Sequence, residues 1–160
     1  MGVSGCGKST LAQALARRLG LPFIEGDALH PRTNIAKMAA GMPLDDTDRK
    51  PFLEAVADAL CTEPAGAVAS CSALKRDYRD LIRARAGRVV FVVPLLDRAA
   101  LTGRLAGRKD HFMPPTLLDS QLATLELPTT DESAIHLDGL QSTAAQVDAV
   151  IAALDTEGTP

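Results

Sequence analysis

Tryptophan is absent from this chain and aromatic residues make up 3% of it, too few for the stacking platforms that hold single-stranded nucleic acid. A basic excess is missing as well: 17 Lys and Arg against 20 Asp and Glu leave a formal net charge of -3. That removes the electrostatic footprint of a protein that binds nucleic acid or an anionic membrane surface. The three cysteines, Cys6, Cys61 and Cys71, are odd in number and lack the paired spacing of a zinc site or a disulfide framework, which fits a reducing cytoplasm. No charged segment leads into an apolar run, and no apolar stretch approaches membrane-spanning length, so neither export nor membrane insertion is expected. What remains is 160 residues, 46% hydrophobic, enough for one domain to bury its own core. The expected partner is a small molecule.

Apolar periodicity divides the chain into alternating elements. Leu11, Ala12, Leu15, Ala16 and Leu19 recur at helical spacing after Ser9, and Gly20 is a natural stop. "LPFIEGD" is a short strand delivering a carboxylate to a loop, and "TNIAKMAAG" a short helix closed by Gly41. Phe52, Leu53, Val56, Ala59 and Leu60 mark an amphipathic helix whose first turn accommodates Pro51. "AGAVASCSA" is a second strand, followed by the charged helix "LKRDYRDLIRARAG" and the β-branched run "RVVFVV". Helices over Asp97 to Gly107 and Thr116 to Leu125 flank the polar loop "RKDHFMPP". A short strand, "AIHLDG", leads to a terminal helix from Ser142 to Leu154 and a frayed tail, "DTEGTP". Helix and strand in alternation predict a parallel α/β sheet, in a single domain over residues 1–155 with residues 156–160 as a tail.

One motif names its chemistry. Gly2, Gly7, Lys8 and Ser9 satisfy G-x-x-x-x-G-K-[ST]. Its glycines let the backbone wrap a phosphate chain, whose charge is stabilised by successive amides and by the positive end of the following helix. Lys8 is expected to reach the β- and γ-phosphates, and Ser9 to offer its hydroxyl to magnesium. Gly2, Val3, Ser4, Gly5, Cys6, Gly7, Lys8, Ser9 and Thr10 together are the expected nucleotide-binding segment, and Cys6 within it reads as a small filler.

Three further stretches are more specific. "GDALHPRTNIAKMAAGMPLDDTDRKPFL", "CSALKRDYRDLIR" and "RKDHFMPPTLLDSQLATLE" resemble, in this order, segments of the gluconate kinase (gluconokinase) family of small P-loop kinases. With the phosphate loop, the resemblance runs from Gly2 to about Glu126. It implies a three-layer P-loop kinase fold with helices on both faces of a parallel sheet and a lid loop near residues 108–114. It also implies transfer of the γ-phosphoryl group of ATP to the terminal hydroxyl of D-gluconate, with Mg2+, and suggests a homodimer. Asp27, at the carboxyl end of the first visible strand, is expected to orient or deprotonate the acceptor hydroxyl. His30 is a candidate substrate contact, and Arg49 closes "DDTDR", which resembles a family segment beside the sugar-acid pocket. Asp45, Asp46 and Asp48 are read as partners of a helix dipole rather than as a metal cluster. Lys75 and Arg79, one helical turn apart, are expected to face the substrate. Arg104 and Arg108 flank the start of the lid, and Arg108 is favoured to close over ATP, with Lys109, Asp110 and His111 as weaker candidates.

One expected part is missing. The family has an apolar strand before the phosphate loop, whereas here only Met1 precedes Gly2. Met1 is accordingly expected to be an internal residue of a longer chain. The alternatives carried forward are another small-molecule kinase, shikimate-like or adenylylsulfate-like, and a nucleotide-binding protein silenced by the missing strand.

Overall fold

A computed structural model describes residues 1–107 and 117–157 of the chain. Its elements are α1 (Lys8–Leu19), β1 (Phe23–Glu25), a 3-10 turn (Gly26–Leu29), α2 (Arg32–Ala39), α3 (Asp46–Cys61), β2 (Val68–Ser70), α4 (Arg76–Ala86), β3 (Phe91–Leu95), α5 (Arg98–Ala106), α6 (Leu117–Thr124), β4 (Ala134–Asp138) and α7 (Thr143–Glu157). The expected lid, with Arg108, Lys109, Asp110 and His111, and the last residues of the tail lie outside the described residues.

Residue alternation builds the layers. Phe91 and Val93 of β3 join the cluster that holds Phe52, Leu53 and Val56 of α3 and Ile82 of α4. Val92 packs instead with Leu11 and Leu15 of α1 and Val147 and Val150 of α7. Because successive strand side chains point to opposite faces, α1 and α7 cover one side and α3 and α4 the other.

β1 pairs with β2, and β3 with β4, both in parallel. Among the described residues these remain two separate two-stranded sheets. Phe91 N donates to Ser133 O at 3.0 Å on the β4 side, while the Val92 carbonyl, on the opposite edge, accepts from the Met1 amino group. Gly2 N donates to Ser72 O, just beyond β2, at 3.2 Å. Met1 and Gly2 therefore tie the two half-sheets at one end. A cavity of about 510 Å³ runs between the halves, lined by Leu11, Leu15, Val56, Ile82, Val92 and Val150 among others. Pro94, which has no amide to leave unpaired, shares the gap-facing edge with Val92.

Boundaries differ from expectation where tertiary contacts decide them. The run expected to form a strand over 88–93 does so at Phe91–Leu95, in register with Ala134–Asp138. Helix α3 begins at Asp46, so Pro51 sits in its second turn, exposed, where it removes one intrahelical donor. Asp45 caps this helix: its side chain accepts from Asp48 N at 2.9 Å and Asp48 Oδ2 accepts from Asp45 N at 3.0 Å. Helix α7 continues to Glu157, two residues into the expected tail, with Thr156 Oγ1 donating to Ala153 O at 2.7 Å.

The end of β1 is locked to the end of β2. Gly26 N donates to Ser70 Oγ at 3.1 Å, and a Cβ on Gly26 would lie 2.0 Å from the Ser70 carbonyl oxygen. Gly26→Ala is therefore expected to destabilise the protein by about 1–3 kcal/mol, the usual range for overpacking. The midpoint of urea unfolding measures this, and an unchanged midpoint would contradict the close contact.

Candidate active site

Gly2, Gly5 and Gly7 adopt φ values of 136°, 85° and 93°, a region costly for any residue with a side chain. They fold residues 2–7 back over the start of α1, and Gly7 is the N-cap of that helix. The Lys8 ammonium crosses the loop to Val3 O at 3.0 Å. Ser9 follows in the first turn, half-exposed, and its hydroxyl makes no hydrogen bond to another described residue. Arg104 of α5 reaches the same region, donating from Nη1 to Cys6 O at 3.4 Å and from Nη2 to Gly139 O at 2.7 Å. Gln121 of α6 accepts from Ser4 N at 2.6 Å through Oε1, tying the loop to the helix that follows residues 108–116. Cys6 is buried beside Gly2, as a filler would be.

Beyond the strands lies a second group. Asp27 and His30 come from the 3-10 turn and its cap. The His30 ring stacks on Phe52 with centroids 3.8 Å apart, and Asn34 Nδ2 lies 3.4 Å from its Nδ1. Arg49, buried in α3, donates from Nε to Leu44 O at 3.3 Å and from Nη1 to Ser72 Oγ at 3.5 Å. Burial pulls its pKa below the usual guanidinium value, opposed by Tyr78, Cys71, Asp46 and Asp48. Lys75 pairs with Asp46 at 2.7 Å and lies 5.5 Å from the centre of the Tyr78 ring, while the Tyr78 hydroxyl donates to the same carboxylate. The three aspartates serve this architecture: Asp45 and Asp48 cap α3, Asp48 also binds Lys37, and Asp46 holds Lys75. Lys75 and Tyr78 draw the Asp46 carboxyl below its ordinary range.

The family described as "AAA domain" matches residues 1–128. Gluconokinase from Gluconobacter oxydans is 50% identical over 142 residues, which span 87% of this chain and 80% of that protein. Thermoresistant gluconokinase from Escherichia coli is 44% identical, across 84% of this chain and 79% of its own. The chain belongs to the gluconokinase family. Among solved structures, a gluconokinase from Sinorhizobium meliloti superposes with a TM-score of 0.89 at 46% identity, covering 98% of this chain and 90% of the other. Shikimate kinase from Aquifex aeolicus, at 17% identity and a TM-score of 0.67, shares the fold alone.

Within this gluconokinase-family site, one expectation is corrected. Arg79 does not face the pocket with Lys75; it is 1% exposed. Its Nε and Nη2 donate to Glu132 at 2.6 and 2.8 Å, and its Nη1 donates to Glu126 O at 2.8 Å. Helical spacing placed Lys75 and Arg79 on one face, but α4 starts only at Arg76 and Lys75 is its extended N-cap. The two side chains therefore diverge. Asn34, Ser72, Tyr78 and Gln121 touch the expected site residues His30, Arg49, Lys75 and Ser4, although the sequence alone does not point to them. Asn34 follows His30 by four positions and Tyr78 follows Lys75 by three, spacings that carry a signal only when the helix faces are known.

Burial on Phe52, opposed by Asp27 and reinforced by Arg49, lowers the His30 pKa from 6.5 to about 4. His30 is thus a neutral hydrogen-bonding group near pH 7. The unfolded chain binds the extra proton between the two values, so His30's contribution to stability is present above pH 6.5 and is lost as pH falls towards 4. Urea midpoints measured across this range are expected to rise with pH, with a shallower slope in His30→Gln. Equal slopes would exclude the buried neutral imidazole.

Proposed function

We propose that this chain transfers the γ-phosphoryl group of ATP to the terminal hydroxyl of D-gluconate, giving ADP and 6-phospho-D-gluconate. The observation that carries the reading is the grouping of Asp27, His30, Arg49 and Lys75 beyond β1 and β2, in a chain 50% identical to a gluconokinase. A sugar acid needs a cationic anchor for its carboxylate and polar partners for its row of hydroxyls. Arg49 and Lys75 offer the charge, while His30 and Ser72 offer neutral hydrogen bonding. Displacing Asp46 from Lys75 frees that ammonium for the substrate.

The reaction asks mainly for position and charge neutralisation. The amides of residues 2–8 and the N-terminus of α1 hold the phosphates, and Lys8 swings from Val3 O to the transferring group. Asp27 orients the acceptor hydroxyl and takes its proton as the new O–P bond forms and the bond to ADP breaks. Arg104 stands beside the phosphate loop, and Arg108 is the cation that closes over the transferring group. Ser9 and Asp27, whose side-chain oxygens make no hydrogen bond to another described residue, would hold Mg2+, which would supply neutralisation of the phosphate charge. The three cysteines are free, in keeping with a cytoplasmic setting. No helix among the described residues is long and apolar enough to cross a membrane.

ADP formation with Mg-ATP is expected with gluconate and not with shikimate or without acceptor; equal rates in all three would sink the assignment. Asp27→Asn should lower kcat by about 10²–10⁴-fold, the usual contribution of a positioned proton acceptor, with ATP affinity unchanged in calorimetry. Arg108→Ala is expected to lower kcat more than it raises the KM for gluconate; the reverse pattern would move Arg108 to the acceptor.

A further inference from the structure

The loop from Cys71 to Lys75 joins both halves of the site. Its Ser72 carbonyl accepts from Gly2 N of the phosphate loop at 3.2 Å, and its Ser72 hydroxyl meets Arg49 at 3.5 Å. Its last residue, Lys75, is the cation paired with Asp46. Yet the loop takes an unfavourable path: Ala73, fully buried, has φ at +33°, the one non-glycine residue with positive φ in the described chain. A backbone outlier of this kind costs free energy and persists only where its surroundings over-determine it.

Arg79 is the surrounding group with the reach to do so. One nitrogen, Nη1, gathers the carbonyls of Ala73 and Leu74, both at 3.4 Å, and of Glu126 at 2.8 Å. The other two nitrogens are fixed by a two-point bond to Glu132, whose side chain is 1% exposed. Glu132 is itself held: Oε1 accepts from Thr129 N and Oε2 from Arg83 Nη1, both at 3.2 Å. The segment after α6 closes the frame, with Glu126 N donating to Leu74 O and Arg76 N donating to Glu126 Oε2, both at 2.8 Å.

We infer that Arg79 and Glu132 are positioning residues that hold the Cys71–Lys75 loop in the path that sets gluconate affinity. The pair touches neither substrate. It acts through the carbonyls of Ala73 and Leu74, and so through the placement of Ser72 and Lys75. A buried ion pair is weak evidence of stabilisation in itself, because desolvation offsets much of the attraction. What this pair supplies is direction: a planar fork fixed on one side and aimed at three carbonyls on the other. The acceptor half of the inference rests on the gluconate reading, whereas the loop-holding half does not.

The test uses Arg79→Lys, which keeps the charge and loses the fork, and Glu132→Gln, which keeps the shape and loses the charge. Two readouts are taken on each variant of the 160-residue chain and on the parent: KM for gluconate and for ATP, and the rate at which Cys71 is alkylated, resolved from Cys6 and Cys61 by mass spectrometry. Cys71 is 6% exposed at the start of the loop, so its protection reports loop placement without any substrate. Both variants are expected to keep a cooperative thermal transition, to raise gluconate KM about tenfold, roughly the worth of one charge-assisted hydrogen bond, and to leave ATP KM within about twofold. Cys71 alkylation is expected to accelerate. Unchanged gluconate KM with unchanged Cys71 protection would overturn the inference, as would both KM values rising together with a lowered melting temperature. If the parent does not turn over gluconate, the functional reading fails, and Cys71 labelling alone decides whether the pair holds the loop.

Discussion

Everything in this site depends on a backbone that reverses on itself within six residues. Gly2, Gly5 and Gly7 take left-handed φ values, which turn the amides of the loop inward and deliver the chain into α1 with its positive end facing the same point. A side chain on Gly2 would meet the Cys6 sulfur at 3.0 Å, and one on Gly5 the Leu105 side chain at 3.1 Å. The phosphate loop therefore depends on lacking Cβ atoms at Gly2 and Gly5, where neighbours leave little room. The Ser4 bond to Gln121 and the Gly2 bond to Ser72 extend that geometry to α6 and to the Cys71–Lys75 loop.

The group around Arg49 and Lys75 follows a different rule, the sharing of charge. Lys75, Asp46 and Tyr78 form a linked set, and the Arg49 guanidinium lies 5.9 Å from the centre of the Tyr78 ring. Tyr78 lies near both cations and donates to Asp46, and its own ionisation is pushed well above 10 by burial and by that carboxylate. It stays a neutral donor. Tyr78 and Asp46 offset part of the desolvation that lowers the Arg49 pKa, and Asp46, the partner of Lys75, is itself an exposed carboxylate.

The layered fold and the phosphate loop were legible because they are written locally. The spacing of Leu11, Ala12, Leu15 and Ala16 ahead of Gly20 marks α1, and Gly20 does end it in a left-handed cap. What was not legible is set by partners far along the chain. The start of β3 moves to Phe91 because its pairing partner, β4, begins at Ala134. The neutral state of His30 depends on Phe52, 22 residues away and brought near only by α3 packing on the 3-10 turn. Arg79 was misread for the same reason: helical spacing shows which residues share a face, but not that Glu132, 53 positions on, occupies it.

The two half-sheets have a further consequence. An unpaired strand edge is a template for another chain, and proteins usually blunt such edges at the rim of a sheet. Here the inner edges of β2 and β3 face each other across the cavity, screened from other molecules by the helices on both faces. Met1 and Gly2, which bond to both edges, are therefore where the relative position of the two halves and the start of the phosphate loop are set together.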